Sequence, residues 1–317
     1  MQLSPPAKKI LVIGLGPTGG ILASYLSQAG YPVFGFDLWR EHILKVQEEG
    51  LRLTGLNSLT ARLAQASAEL NGLGSIRFDY VFIAVKTPFL ADVVKELGVL
   101  KGDFTAVAVQ NGIDNEEYLA RHLDRSRVMR MAVNYAGNMT GPGGIRMTFF
   151  NRPNYVGCLC GDDQCAHTLE LSSILSRAGL ETVGTGDIRP HTWKKTILNA
   201  ALSPVTALTG QTMAQAMADP DAVRLVRMIL EECISVAAKA GLSFGEGFLE
   251  FCLDYLAKGG PHKPSMLIDL ERGNPTEIDY INGKIVEYGQ ALGVPVPVNT
   301  ALTFLVKAKE TTQRRTE

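Results

Sequence analysis

The chain predicts an α/β fold: a doubly wound parallel sheet followed by a separate all-helical domain. Three observations carry that expectation. Short, mostly β-branched apolar runs alternate with helical patterns through the first half, as strands buried on both faces and joined by helices require. The stretch KKILVIGLGPTGGILASYLSQAGYPVFGFDL, residues 8–38, holds a strand, a glycine turn, a helix and a second strand in one unit. From His191 onward the strand pattern stops and helix follows helix.

The first strand is Ile10, Leu11, Val12 and Ile13. Gly14, Gly16 and Gly19 follow in the spacing G-x-G-x-x-G. In a dinucleotide site the first glycine makes the tight turn, the second lets backbone approach a pyrophosphate, and the third lets helix pack on strand. The helix that starts within the glycines carries Ile21, Leu22, Tyr25 and Leu26 on one face, and its N-terminal N–H groups suit an anion. Gly30 stops it, and Val33–Phe36 forms a second strand ending at Asp37, an acidic residue placed to meet a ribose. The unit therefore predicts a Rossmann-type dinucleotide site built from Gly14, Gly16, Pro17, Thr18, Gly19 and Asp37.

Arg40–Glu49 reads as a helix ended by Gly50, and residues 51–60 and 61–66 read as short strands. YVFIAV at 80–85 and TAVAVQ at 105–110 are buried strands, each followed by a helical pattern. Val128–Asn134 adds another strand, and Gly141–Gly144 a hairpin turn between strand-like pieces. Residues 147–158, a helix over 167–178 and a strand over 181–184 complete the dinucleotide-binding domain, set at 1–187. The helical domain is set at 188–317, with Pro204 expected to kink or break a helix over 192–208 and a further helix starting at Thr276.

Ligands of an open α/β sheet sit beyond the carboxyl ends of its strands. Lys86 and Asn111 end two of them. Each is either a ligand contact, to phosphate, carboxylate, nicotinamide ribose or substrate, or a turn residue bonded locally. In WKKTILNAALSP, Lys195, Asn199 and Ser203 are each four apart and stack on one helical face, while apolar residues occupy the others. A helix buried on several faces demands partners or a task for its lysine, whereas Lys194 reads as a solvated lysine. Glu277, just after Thr276, is either functional or a carboxylate favourably placed at a helix N-terminus.

A hydrophobic fraction of 46% marks a globular chain, and a net charge of −1 gives no reason to expect nucleic acid or an anionic membrane as partner. No apolar run reaches transmembrane length, and MQLSPPAKKI lacks a signal-peptide core, so a cytoplasmic location is expected. The five cysteines are an odd number in a long chain, against a disulfide framework. Cys158-Leu-Cys160, with Cys165 and His167 nearby, lacks usual zinc spacing, so incidental thiols and no metal are expected.

From GLGPTGG through VKTP, QNGIDNEE and WKKTILNAALSPVTAL to PSMLIDLERGNPTEIDYINGKIVEYGQALGVPVPVNT, the chain resembles the ketopantoate reductases (2-dehydropantoate 2-reductases) nearly end to end. The resemblance implies a helical domain of the 6-phosphogluconate-dehydrogenase type and an active site between the two domains. It implies reduction of ketopantoate to pantoate, in pantothenate biosynthesis, by NADPH or NADH. By position, Lys195 resembles the catalytic lysine and Glu277 the catalytic glutamate. Lys86 resembles the cofactor-side lysine, and Asn111 the residue at nicotinamide and substrate. Asn199 and Ser265 resemble substrate contacts. A protonated Lys195 then polarises the 2-oxo carbonyl and donates the proton, Glu277 holds that lysine or a substrate hydroxyl, and no metal is called for.

Two positions depart from the family pattern. Ser203 stands where a second asparagine usually precedes the helix proline, and His262 where an asparagine usually lies three residues before the serine of Ser265-Met266. Both positions contact substrate oxygens in the family, so the substrate can differ while the reaction type holds. The coenzyme is also open: Asp37 favours NADH, whereas the family, with Arg40 near enough to meet a 2′-phosphate, favours NADPH. The alternatives are a D-2-hydroxyacid dehydrogenase of the same family acting on another 2-oxo acid, an unrelated 3-hydroxyacid dehydrogenase on the same plan, and a non-catalytic dinucleotide sensor. The Lys195 and Glu277 pair argues against the sensor, and the PSM and TEIDYINGK segments against the 3-hydroxyacid enzyme. A homodimer through the helical domain is a family-level expectation.

Overall fold

The computed structural model describes residues 8–162 and 165–314. Segment 1–7, part of the stretch read as lacking a signal-peptide core, lies outside them. The chain divides into two compact units, one of residues 8–110 and 114–188 among those described, the other of Asn111–Ile113 and residues from Arg189 onward.

The first unit runs β1 (Ile10–Ile13), α1 (Pro17–Gln28), β2 (Val33–Phe36), α2 (Arg40–Glu49), β3 (Leu51–Gly55), β4 (Leu59–Ala61), β5 (Gln65–Ser67), β6 (Tyr80–Ile83), α3 (Leu90–Glu96) and β7 (Thr105–Ala108). It continues with α4 (Asn115–Ala120), β8 (Val128–Ala132), β9 (Tyr135–Gly141), β10 (Gly144–Phe150), β11 (Asn154–Cys158), α5 (Ala166–Arg177) and β12 (Thr182–Gly184). Its main sheet has the order β12-β11-β8-β7-β6-β1-β2-β5. The six strands from β8 to β5 are mutually parallel, whereas β11 joins β8 antiparallel and carries β12 with it. The reversal has a topological cause: β8 reaches β11 through the β9–β10 hairpin and not through a helical crossover.

Strand alternation decides which face each core residue fills. Ile10 and Val12 pack in one apolar cluster and Leu11 and Ile13 in another, so β1 is buried on both sides. A second, four-stranded sheet, β4-β3-β10-β9, stands beside the first. The two strands expected over 51–66 are three, and they belong to different sheets: β3 and β4 to the small one and β5 to the edge of the main one.

The second unit contains α6 (Arg189–Thr209), α7 (Met213–Ala218), α8 (Pro220–Lys239), α9 (Phe248–Ala257), α10 (Ser265–Glu271), α11 (Asn282–Leu292) and α12 (Pro297–Arg314). Helix α6 packs against α8, α10 and α12 around one apolar core that includes Ile113. The break expected at Pro204 is not there; α6 is continuous through it. A proline at 204 cannot donate to the carbonyl of Ala200 one turn earlier. The Asn282 carboxamide donates to that carbonyl instead, at 3.0 Å, and also to Asn299 Oδ1 at 3.0 Å. Buried Asn282 thus fills the hydrogen bond that the proline removes. The helix expected from Thr276 begins only at Asn282, because residues 278–280 form a single tight 3₁₀ turn first. No helix among the described residues is long and apolar enough to cross a membrane.

Candidate active site

In the first unit the glycine loop has the shape its spacing predicts. Gly14 has φ +91°, and a Cβ there would come within 2.8 Å of the Val85 nitrogen. A Cβ on Gly19 would collide with the Gly14 carbonyl oxygen, so the third glycine is what lets α1 start this close to β1. At Gly16, by contrast, a Cβ would meet nothing within 4 Å. Gly16 caps α1, Pro17 opens it, and no side chain caps the first turn. Its N–H groups therefore lack a side-chain acceptor beside an open backbone, which suits a pyrophosphate. Thr18 lies in that first turn, with its carbonyl accepting from the Tyr135 hydroxyl at 3.2 Å.

Asp37 is built into the loop. Its Oδ2 accepts the Leu15 N–H at 2.8 Å and its Oδ1 the Trp39 N–H at 2.9 Å. This fixes the carboxylate at the end of β2, where a ribose hydroxyl would be received. Arg40 instead pairs with Glu69 at 3.1 Å, with both side chains mostly exposed. Lys86, half-buried, follows β6 and caps the short 3₁₀ turn 87–89. The residues present fit a dinucleotide by their open glycine backbone and fixed acidic group.

In the second unit Asn111 and Glu277 meet. The Asn111 carboxamide donates to Glu277 Oε2 at 2.8 Å, and Glu277 is buried. Gly112 makes this approach workable: it has φ +85°, and a Cβ on it would strike the Tyr280 carbonyl oxygen. Glu277 is not in the first turn of an α-helix, so a helix N-terminus does not account for it. Thr276 holds the segment by donating its N–H to Glu310 at 2.8 Å and accepting the Ile278 N–H at 3.3 Å.

Lys195 and Asn199 lie half-buried on successive turns of α6, and Ser203 is buried one turn further on. Trp193 anchors this part of the helix edge-on against Tyr288, with ring centroids 5.0 Å apart. Lys194 is not simply solvated: its ammonium sits 4.2 Å from the centre of the Phe251 ring. Ser265 opens α10 and is exposed, as is His262 three residues earlier. Partial desolvation of the ring lowers the His262 pKa from its ordinary value, favouring the neutral form. The His262 carbonyl accepts from the Met213 N–H at 3.2 Å.

Sequence reasoning missed a buried charge pair behind β7. The Arg130 guanidinium donates to the Gln110 carbonyl at 2.5 Å and lies 3.4 Å from the Glu116 carboxylate. It fixes the residue immediately before Asn111. An arginine inside an otherwise apolar strand, VMRMAV, is the signal that marked it. The cysteine expectation also needs correction: Cys158 and Cys160 are joined in a disulfide, because the turn after β11 brings their Cα atoms to 5.5 Å.

Residues 10–161 match the model of ketopantoate reductase PanE/ApbA, and residues 187–310 that of its C-terminal domain. A 2-dehydropantoate 2-reductase of Mesorhizobium japonicum is 31% identical over 94% of this chain and 97% of its own length. Among solved structures, a PanE/ApbA family ketopantoate reductase from Ralstonia eutropha JMP134 has a TM-score of 0.87 at 26% identity, covering 96% of this chain and 99% of its own. A D-mandelate dehydrogenase solved with NADH has a TM-score of 0.85 at 26% identity, with the same coverages of 96% and 99%. Both halves are matched in order and at nearly full length, and the chain belongs to the ketopantoate reductase PanE/ApbA family.

Proposed function

We propose that the chain reduces 2-dehydropantoate to pantoate, the reaction for which its family is named and a step of pantothenate biosynthesis. It is an oxidoreductase of the CH–OH/C=O class, using NADPH or NADH. The observation that carries the residue assignment is the Asn111–Glu277 hydrogen bond. It joins the residue after the TAVAVQ strand to the carboxylate of TEIDYINGK, two candidates that sequence could only name separately.

When bound, the dinucleotide supplies a hydride to the ketone carbon. Gly14 and Pro17 would shape the loop, and the backbone N–H groups of Gly16, Thr18 and Gly19 would hold its pyrophosphate, with Lys86 adding positive charge. Lys195, as an ammonium, faces the ketone oxygen, stabilises the negative charge that grows there and donates its proton. Glu277, oriented by Asn111, holds that ammonium or a substrate hydroxyl. Asn199, Ser203, His262 and Ser265 bind substrate oxygens. Asp37, fixed by two N–H groups, favours the ribose hydroxyls of NADH over the 2′-phosphate of NADPH, while the exposed Arg40 is engaged with Glu69.

A second reading is a D-2-hydroxyacid dehydrogenase of the same family acting on a different 2-oxo acid. Ser203 and His262 favour it, as does the likeness to a D-mandelate dehydrogenase. Steady-state reduction of ketopantoate and a panel of branched and aromatic 2-oxo acids, with NADH and NADPH in parallel, separates the two. Efficient turnover of ketopantoate supports the first reading. Turnover of another 2-oxo acid alone supports the second, and no turnover on any of them overturns both.

A further inference from the structure

The first unit carries a thiol cluster that neither reading uses. Cys158 ends β11, Cys160 lies in the turn after it, and Cys165 caps α5. The three sulfurs lie within 4.8 Å of one another. Backbone hydrogen bonds tie together the segments that carry them. The Cys158 N–H donates to Thr168 Oγ1 in the first turn of α5 at 3.1 Å, tying the strand end to the helix start. The Cys165 N–H donates to the Asp162 carbonyl at 3.1 Å. Cys158 is buried, Cys165 half-buried and Cys160 exposed, so the cluster opens to solvent on one side.

We propose that, with the Cys158–Cys160 bond reduced, these three cysteines form a binding site for a soft monovalent d¹⁰ cation of the Cu(I) type. Two sulfurs bound to one ion at about 2.3 Å are about 3.8–4.0 Å apart, a spacing inside the 4.8 Å over which the three sulfurs lie. Among the described residues no histidine or carboxylate joins the group. Among the described residues the donor set is thiolate alone, the soft ligand type that selects Cu(I). The N-terminal end of α5 favours the net negative charge of such a site. Reduction takes two electrons and two protons from a dithiol reductant and converts the disulfide to two thiols. Metal binding then releases the thiol protons.

The test uses the full chain, reduced with a dithiol and freed of it without oxygen. Cu(I) is titrated against a chromophoric Cu(I) chelator, and Zn²⁺ in parallel against a zinc indicator. The expected result is one Cu(I) per chain, with loss of stoichiometric binding in Cys160→Ser, in Cys165→Ser and in the oxidised protein. Dinucleotide binding by both variants serves as the check on folding. Cys233 and Cys252 are fully buried in the second unit and their thiol pKa values are raised by burial, that of Cys252 to about 12, so Cys233→Ser/Cys252→Ser keeps the ion. Equal Cu(I) retention by wild type and Cys160→Ser/Cys165→Ser, or no retention by the reduced wild type, overturns the proposal. Tighter binding of Zn²⁺ than of Cu(I) overturns the assignment to a monovalent ion.

Discussion

The Asn111 carboxamide and the Glu277 carboxylate are hydrogen-bonded at 2.8 Å although 166 positions separate them. Asn111 follows a strand of the dinucleotide-binding sheet, yet with Gly112 and Ile113 it belongs to the helical unit. The bond fixes the position of the Glu277 carboxylate at one of its oxygens.

If Lys195 is the proton donor, Lys195→Ala lowers kcat by about 10²–10⁴-fold and leaves dinucleotide affinity largely intact. Glu277→Ala and Asn111→Ala lower kcat/KM by amounts that do not add, because each removes the other's partner, with a coupling of about 0.5–3 kcal/mol. Steady-state kinetics with fluorescence titration of the dinucleotide measures both. Near-normal turnover of Lys195→Ala removes it as the acid.

Asp37 makes the coenzyme preference a matter of charge. Asp37→Asn keeps an acceptor for the Leu15 or Trp39 N–H but removes the repulsion of a 2′-phosphate. The kcat/KM ratio of NADPH to NADH is expected to rise at least about tenfold, equivalent to about 1.4 kcal/mol. An unchanged ratio means that Asp37 does not face the ribose.

Helix α6 passes through Pro204 because Asn282 serves the Ala200 carbonyl. Asn282→Ala is expected to destabilise the protein by about 1–3 kcal/mol, leaving that buried acceptor unmet. In a Pro204→Ala background a backbone N–H reaches the carbonyl again, so the same change costs less there. Urea unfolding of the two single variants and the double variant reads this directly. Strict additivity would show that the two residues do not share the carbonyl.

Acid stability has a named contributor in His42. The ring is buried, its Nδ1 accepts the Gly143 N–H at 2.8 Å, and Trp39 stacks on it at 5.3 Å. Desolvation lowers its pKa below the ordinary 6.5, partly offset by the Asp37 charge. The unfolded chain therefore takes up this proton first, and stability is lost as the pH falls below about 6.5, by at most about 1.4 kcal/mol per pH unit. Urea midpoints at pH 7.5 and 5.5 should differ less in His42→Gln, which offers an uncharged acceptor. An unchanged difference would place the acid sensitivity elsewhere.

Local rules made much of this protein legible from its residues. The glycine spacing and the acidic residue after β2 determined the nucleotide loop, because turn geometry and close approach act over a few neighbouring residues. Apolar periodicity determined the parallel strands and the helical second half for the same reason. Tertiary structure alone decided the rest. Short runs such as 51–66 have no local signal for which sheet they join: β3 pairs with β10, nearly a hundred residues away, while β5 pairs with β2 in the other sheet. Thr276 reads as a helix start, but a 3₁₀ turn over 278–280 comes first, and Glu277 before it is met by Asn111 from 166 positions away. Pro204 reads as a break until a carboxamide 82 positions from Ala200 replaces the lost donor. In the last two cases sequence names the polar group, and only the folded chain supplies its partner, since a buried hydrogen bond is satisfied in space and not along the chain.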